Sequence, residues 1–130
     1  MKKIIYSPGE PAGIGPDIII KLAANKALEN FKIPILVAGD PDLFLARSRS
    51  LKKKIKIINI GSINELQSNK KGALQVISVS RCKNTSPGKI YKSNSEYVLD
   101  NLNYAIKETI SNKNTALVTG PLSKENIISI

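Results

Sequence analysis

The chain has 130 residues, of which 42% are hydrophobic and 23% are charged, and this balance is typical of one globular domain and excludes a wholly disordered chain. The formal net charge is +10, but the lysines are spread over the whole sequence, which favours a solvated surface over a nucleic-acid-binding face. The single cysteine excludes an internal disulfide, and the lack of histidine removes the commonest general base and metal ligand.

The first predicted elements are a strand, a loop and a helix. A short apolar run predicts a strand over 2–7, and a segment rich in glycine and proline, 8–16, follows it. Apolar residues then recur at helical spacing, with Pro16 at the first helical position and Asp17 in the first turn. These features predict one helix that runs to about Asn30.

A second strand and helix follow. The continuous apolar run 34–38 predicts a buried strand. Asp40 stands before a proline and is typical of a helix N-cap, and Asp42 then lies in the first turn, so we interpret both carboxylates as structural rather than catalytic. The densest basic run, 47–56, includes Arg47, and we expect it to form a solvated edge between this helix and the next strand.

The second half of the chain predicts three more strands and a long helix. The strands are expected over 54–60, 74–79 and 115–119, with a polar loop over 81–92. Ser93 and Glu96 match a capping box, and apolar residues at three- and four-residue spacing predict a helix over 94–111. Cys82, in the polar loop, is interpreted as an incidental small residue.

Strands and helices alternate, and most of the strands are continuous apolar runs. This pattern is typical of an α/β fold whose parallel or mostly parallel sheet is covered by helices on both faces. We expect residues 1–130 to form a single partial α/β domain, because a helix that begins at Ser123 stops without a terminating signal. With no signal peptide and no apolar run near the roughly 20 residues of a membrane span, we expect a cytoplasmic protein.

The loop 8–16 is the segment most suggestive of a ligand. Its glycines let a backbone approach a ligand closely, and its position between a strand and a helix places free N–H groups where an anion is favoured. The spacing of Gly9, Gly13 and Gly15 differs from the dinucleotide-binding fingerprint, and no phosphate-binding lysine follows. From the residues alone, a ligand-binding loop and a simple connecting turn are both open.

Two blocks of sequence resemble the 4-hydroxythreonine-4-phosphate dehydrogenase family. The first is PGEPAGIGPD at 8–17, and the second is ALVTGPLSKE at 116–125, which carries a Pro-x-x-Lys pattern. Between them, Gly88 and the predicted helix 94–111 are placed as in that family. The resemblance covers the whole chain but only the N-terminal portion of a family member.

The resemblance implies the first lobe of an isocitrate/isopropylmalate-dehydrogenase-like fold, in a homodimer whose active site lies between two lobes. It also implies an NAD-dependent enzyme of pyridoxal phosphate (vitamin B6) biosynthesis, which oxidises 4-hydroxythreonine 4-phosphate to a 2-amino-3-oxo acid that decarboxylates. A divalent metal held by histidines acts in that family as a Lewis acid. Those histidines follow the Pro-x-x-Lys block, so neither a catalytic residue nor a metal ligand is carried over to this sequence.

The residues that the resemblance does carry over form two sets. The cofactor-binding candidates are Gly9, Glu10, Pro11, Ala12, Gly13 and Gly15. The substrate-cleft candidates are Thr119, Gly120, Pro121 and Lys124, of which Lys124 is equally interpretable as an exposed lysine in a first helical turn. We therefore expect a truncated dehydrogenase that is inactive by itself and exposes apolar surface.

Two other functions remain open. A non-catalytic remnant would bind a phosphate or nucleotide without turnover. A basic nucleic-acid-binding module would show steeply salt-dependent affinity, but the sequence has no tryptophan and only two phenylalanines, which counts against single-strand binding. The expected partners are a small phosphorylated amino acid and a second copy of the family chain, with neither nucleic acid nor a membrane.

Overall fold

The computed structural model describes residues 1–83 and 87–123, which form one sheet flanked by helices. The strands are β1 (Lys3–Ser7), β2 (Ile35–Gly39), β3 (Lys56–Asn59), β4 (Ala73–Ser78) and β5 (Thr115–Thr119). The helices are α1 (Gly15–Ala23), α2 (Lys26–Asn30), α3 (Pro41–Ser50) and α4 (Ser95–Ser111), with 3₁₀ turns at Ile63–Glu65 and Lys92–Asn94. The strands pair in parallel in the order β3-β4-β2-β1-β5, which confirms the predicted α/β class.

Different helices bury the two faces of the sheet, because the side chains of a strand alternate between faces. Ile5 and Leu36 point to the face that α4 covers, where they form a buried cluster with Ala105. Tyr6 and Val37 point to the opposite face, where α1, α2 and α3 lie. The buried cluster on that face also includes Ile19, Ile20, Ala23, Leu28 and Phe44. The prediction of helices on both faces is confirmed.

The segment predicted as one helix after the first loop is two helices. α1 ends at Ala23 and α2 begins at Lys26. Between them, Asn25 has an extended backbone, and its side-chain oxygen accepts a hydrogen bond from the N–H of Ala27 at 3.0 Å. Asparagine is a favoured N-cap, so it starts a new helix there. The apolar spacing does not reveal the break, because Leu28 still falls on the buried side.

The predicted capping box at the start of α4 is wrong. Ser93 lies inside a 3₁₀ turn, and the N-cap of α4 is Asn94, whose side chain makes no capping hydrogen bond to the helix. A capping box forms instead between Ser62 and Glu65, around the other 3₁₀ turn. Both serine–glutamate pairs have the same spacing, so the box pattern identifies candidate helix starts but does not choose between them.

Candidate functional site

The carboxyl ends of β1 and β5 meet where the chain changes faces. β1 leads into α1 on one face of the sheet, whereas α4 on the opposite face leads into β5, and the two strands are neighbours. In open parallel sheets, ligands bind in the crevice at such a switch point. We name the two loops at this point, 8–14 and 120–123, the switch-point loops.

Backbone hydrogen bonds join the two switch-point loops. The N–H of Glu10 donates to the carbonyl oxygen of Pro121 at 3.0 Å, and the N–H of Gly120 donates to the carbonyl oxygen of Ser7 at 2.8 Å. Each of the family-like sequence blocks supplies one side of this contact. The fold therefore brings the cofactor-binding candidates and the described substrate-cleft candidates together in one place.

Three glycines let these loops pack backbone against backbone. A Cβ atom on Gly15 would lie 1.8 Å from the carbonyl oxygen of Pro8, and one on Gly120 would lie 2.1 Å from the same atom. Gly9 has a φ of +81°, and a Cβ there would lie 2.4 Å from the carbonyl oxygen of Pro121. Gly9 and Gly120 thus let the two loops come into contact, and Gly15 lets the first loop fold back on its own Pro8, since only glycine leaves this room.

A buried arginine on α3 binds the first switch-point loop. One Nη atom of Arg47 donates to Asp17 Oδ1 at 2.7 Å and to the carbonyl oxygen of Gly13 at 3.2 Å, and the other donates to the carbonyl oxygen of Pro11. The Arg47 side chain is 2% exposed, so its expected place on a solvated edge is wrong. The available signal was its spacing of three residues from the buried Phe44, which puts both on one side of α3.

Asp40 is a structural residue, as predicted. Its carboxylate accepts hydrogen bonds from the N–H of Asp42 at 3.0 Å and the N–H of Cys82 at 2.9 Å. Its own N–H donates to the hydroxyl of Tyr97 at 3.0 Å. Burial raises the pKa of the Tyr97 hydroxyl well above its usual value and keeps it protonated. These bonds fix the carboxyl end of β2 beside the start of α4.

Ser7 is a polar residue of the site that the sequence patterns did not single out. It ends β1 and is 1% exposed, and its Oγ atom has no hydrogen-bond partner. Alternation along the strand places its side chain on the same face as Ile5, towards α4. A strand is predicted from its hydrophobic residues, so the pattern gives no signal for the polar Ser7 at its end.

The candidate residues differ in how far they reach solvent. Those buried at the contact are Gly9, Glu10, Pro11, Gly15 and Gly120. Ala12 and Gly13 are half-buried, and Thr119 and Pro121 are exposed. The Glu10 carboxylate accepts a hydrogen bond from the N–H of Ala12 at 3.2 Å, so it stabilises the loop itself. Lys124, and the helix predicted to start at Ser123, lie outside the described residues apart from Ser123 itself.

Residues 1–83 and 87–123 show neither a metal-binding cluster nor a membrane-spanning helix. In this part of the chain, His, Cys, Asp and Glu residues form no group of three or more that could hold a metal ion. Among the same residues, no helix combines the length and apolar character that a membrane crossing needs. The described residues by themselves therefore do not fit the divalent metal that the family resemblance implies.

Comparison with known proteins identifies the family. The family model of the pyridoxal phosphate biosynthetic protein PdxA matches residues 30–129, which is more than half of the chain. A 4-hydroxythreonine-4-phosphate dehydrogenase of Yersinia pestis is 34% identical over 125 residues, which are 96% of this chain and 37% of that protein. The enzyme of the same name from Colwellia psychrerythraea is 33% identical over 123 residues, 95% of this chain and 36% of that protein.

Solved structures show the same relation. A 4-hydroxythreonine-4-phosphate dehydrogenase from Klebsiella pneumoniae superposes with a TM-score of 0.83 and 27% identity, covering 99% of this chain and 40% of that one. One from Burkholderia phymatum gives a TM-score of 0.85 at 21% identity, covering 99% and 39%, and shows the shared fold. The chain thus spans less than half the length of these relatives. On the match to its family model, this chain belongs to the PdxA family of pyridoxal phosphate biosynthetic proteins.

Proposed function

We propose that this chain supplies one wall of a cleft in which 4-hydroxythreonine 4-phosphate is oxidised with NAD, on the way to pyridoxal phosphate. The observation that supports the proposal is the joined pair of switch-point loops, which lies where parallel α/β sheets bind ligands. The names of the relatives supply the reaction, a dehydrogenation of that phosphorylated amino acid. We further propose that the working assembly is a dimer located in the cytoplasm.

The chain's own part in this reaction is to bind and orient. Ala12 and Gly13 form the half-buried crest of the first loop, with Ile14 exposed beside them. α1 begins behind this crest without a side-chain cap, and the positive end of its dipole would favour a phosphate group at the crest, although Gly15 and Pro16 themselves are buried. NAD, when bound, accepts the hydride. The loop would hold NAD or the substrate in place, so that the two lie next to each other. No step is assigned to a metal, since the described residues do not fit one.

We propose that the 130 residues do not complete the reaction alone. They span 37% of the Yersinia pestis relative and 40% of the Klebsiella pneumoniae structure, so most of the relatives' length lies elsewhere. The rival candidate is a remnant that keeps the loop and binds a phosphate or nucleotide without chemistry. Both candidates predict binding at the switch-point loops, and turnover distinguishes them.

A hybrid enzyme tests the proposal. In it, these 130 residues replace the matching segment of the Klebsiella pneumoniae enzyme, and NADH formation is followed with 4-hydroxythreonine 4-phosphate. Gly13→Ala adds a methyl group to the loop crest, where the nearest atom outside its neighbours is 3.3 Å away, so the fold should tolerate it. We expect this change to raise the KM for NAD or substrate by about threefold or more through lost close approach.

Gly61→Ala is the matched control, because it lies beyond the end of β3, far from the switch-point loops, and its Cβ would meet only the carboxylate end of Glu65, which can shift at the local cost of the capping box there. Its kinetic constants should equal those of the unsubstituted hybrid. Equal kinetics for Gly13→Ala and Gly61→Ala would show that the loop crest does not contact ligand. Saturable binding of NAD by a folded hybrid that never turns over would favour the remnant.

A further inference from the structure

An apolar groove lies beside β5, one of the two edge strands of the described sheet. It encloses about 430 Å³ and is bordered by β1, β2, β5, α1 and α2. The lining side chains are almost entirely apolar. Four large ones are substantially exposed: Ile18 (42%), Leu22 (38%), Phe31 (42%) and Val118 (43%). Such a concentration of exposed apolar surface is the usual mark of an interface.

The groove exists because one face of β5 lacks a covering helix among the described residues. Val118 is in register with Tyr6, so both side chains point to the face that carries α1. On that face α1 lies over the middle of the sheet, towards β4, whereas the helix that lies against β5 is α4, on the other face. In the described part of the sheet, β5 also pairs on one side alone, with β1.

The segments that line the groove also carry exposed lysines. Lys21 on α1, Lys26 on α2 and Lys32 after α2 are all exposed, and they neighbour the lining residues Leu22, Ala27 and Phe31 along the chain. Glu29 is the acidic residue within this segment. A partner surface that fits the groove should therefore be apolar at its centre and acidic at its border.

We propose that this groove docks the part of the PdxA fold that the chain does not cover. The Klebsiella pneumoniae structure contains this chain's fold in 40% of its length, so the larger share of the relative's fold has to join it somewhere. Val118 belongs both to β5, the edge strand of the described sheet, and to the groove lining, so the edge and the groove form one surface. A second copy of this chain is a poorer occupant, because it would bring two lysine-bearing segments of like charge together.

The hybrid enzyme and the 130-residue chain test this together. Ile18→Asp and Val118→Asp each place a carboxylate in the groove, and Ile110→Asp is the control, on α4 at 81% exposure. In the hybrid, the two groove substitutions should lower the melting temperature by about 5 °C or more, because a covered groove buries the new charge. In the 130-residue chain they should change it by about 2 °C or less, as Ile110→Asp should in both proteins.

Other results would overturn the proposal. Equal effects of the groove substitutions in the two proteins would mean that the remainder of the fold does not cover the groove. A hybrid that fails to melt cooperatively would mean that the surfaces do not match. A 130-residue dimer in sedimentation velocity that Val118→Asp dissociates would identify a second copy as the occupant. A cooperatively folded hybrid without turnover would count against the proposed function and leave the docking surface standing.

Discussion

Arg47 supports the first switch-point loop through one charged and two carbonyl partners. Because the guanidinium is buried, Arg47→Met would leave those carbonyl groups and the partly exposed Asp17 carboxylate without their donor. We expect the free energy of unfolding to fall by about 2 kcal/mol, below the usual cost of breaking a fully buried pair, since water reaches Asp17. Urea denaturation measures this.

Arg49→Met is the control, because Arg49 is exposed on the same helix. It should change the free energy of unfolding by about 0.5 kcal/mol or less. If the two substitutions had equal effects, the buried contacts of Arg47 would not stabilise the loop. Arg47 would then lie on α3 without stabilising the contact between this helix and the loop.

Gly120 and Gly72 separate two reasons for having glycine. Gly120→Ala would force a Cβ to 2.1 Å from the carbonyl oxygen of Pro8, so the two loops would have to part. Gly72→Ala meets nothing within 4 Å but has a φ of +77°, so it carries conformational strain alone. Urea denaturation should show losses of about 3 kcal/mol and about 1 kcal/mol, respectively. Equal losses would mean that the loops are not in close contact at Gly120.

At the scale of elements, α4 is tied to β2 by the buried Tyr97 hydroxyl. Burial raises the pKa of Tyr97 above the value of 10.0 that it has when exposed, so the unfolded chain loses this proton first as the pH rises. The stability that the protonated hydroxyl provides is therefore complete below pH 10 and falls above it. Between about pH 9 and about pH 11, Tyr97→Phe should lose about 1 kcal/mol less than the unsubstituted chain.

Urea unfolding at both pH values measures this difference, and it cancels the constant cost of the lost hydrogen bond to Asp40. All other side chains are the same in both proteins, so their contributions cancel as well. The same loss of stability in both proteins would contradict a buried, protonated Tyr97. Such a result would count against the hydrogen bond between Tyr97 on α4 and Asp40 at the carboxyl end of β2.

The elements that the sequence predicts well are those with a strong apolar period. The five strands, the parallel class and the long helix α4 follow from runs such as 34–38 and from three- and four-residue spacing. The break before Asn25 and the choice of capping box depend on single polar contacts, which similar residues elsewhere could equally make. The spacing of Arg47 from Phe44 puts both on one side of α3, but the carbonyl groups that bind the guanidinium come from a loop in another part of the chain.

At the scale of the whole molecule, part of the candidate site could be predicted from the sequence. The two family-like blocks were expected to form one cleft wall, and the fold places their described residues in contact. What the residues alone did not indicate is that Gly9 and Gly120 allow contact between the loops and that Gly15 allows contact within the first loop. The exposed apolar surface expected of a partial domain is present as a defined groove beside β5.

We propose that this chain forms one wall of a dehydrogenase cleft and acts only together with the rest of the PdxA fold. The most direct measurement is NADH formation from 4-hydroxythreonine 4-phosphate, with NAD and a divalent metal, by the purified 130-residue chain and by the hybrid side by side. We predict turnover by the hybrid and none above background by the chain alone. Steady turnover by the 130-residue chain, without a second polypeptide, would contradict the claim.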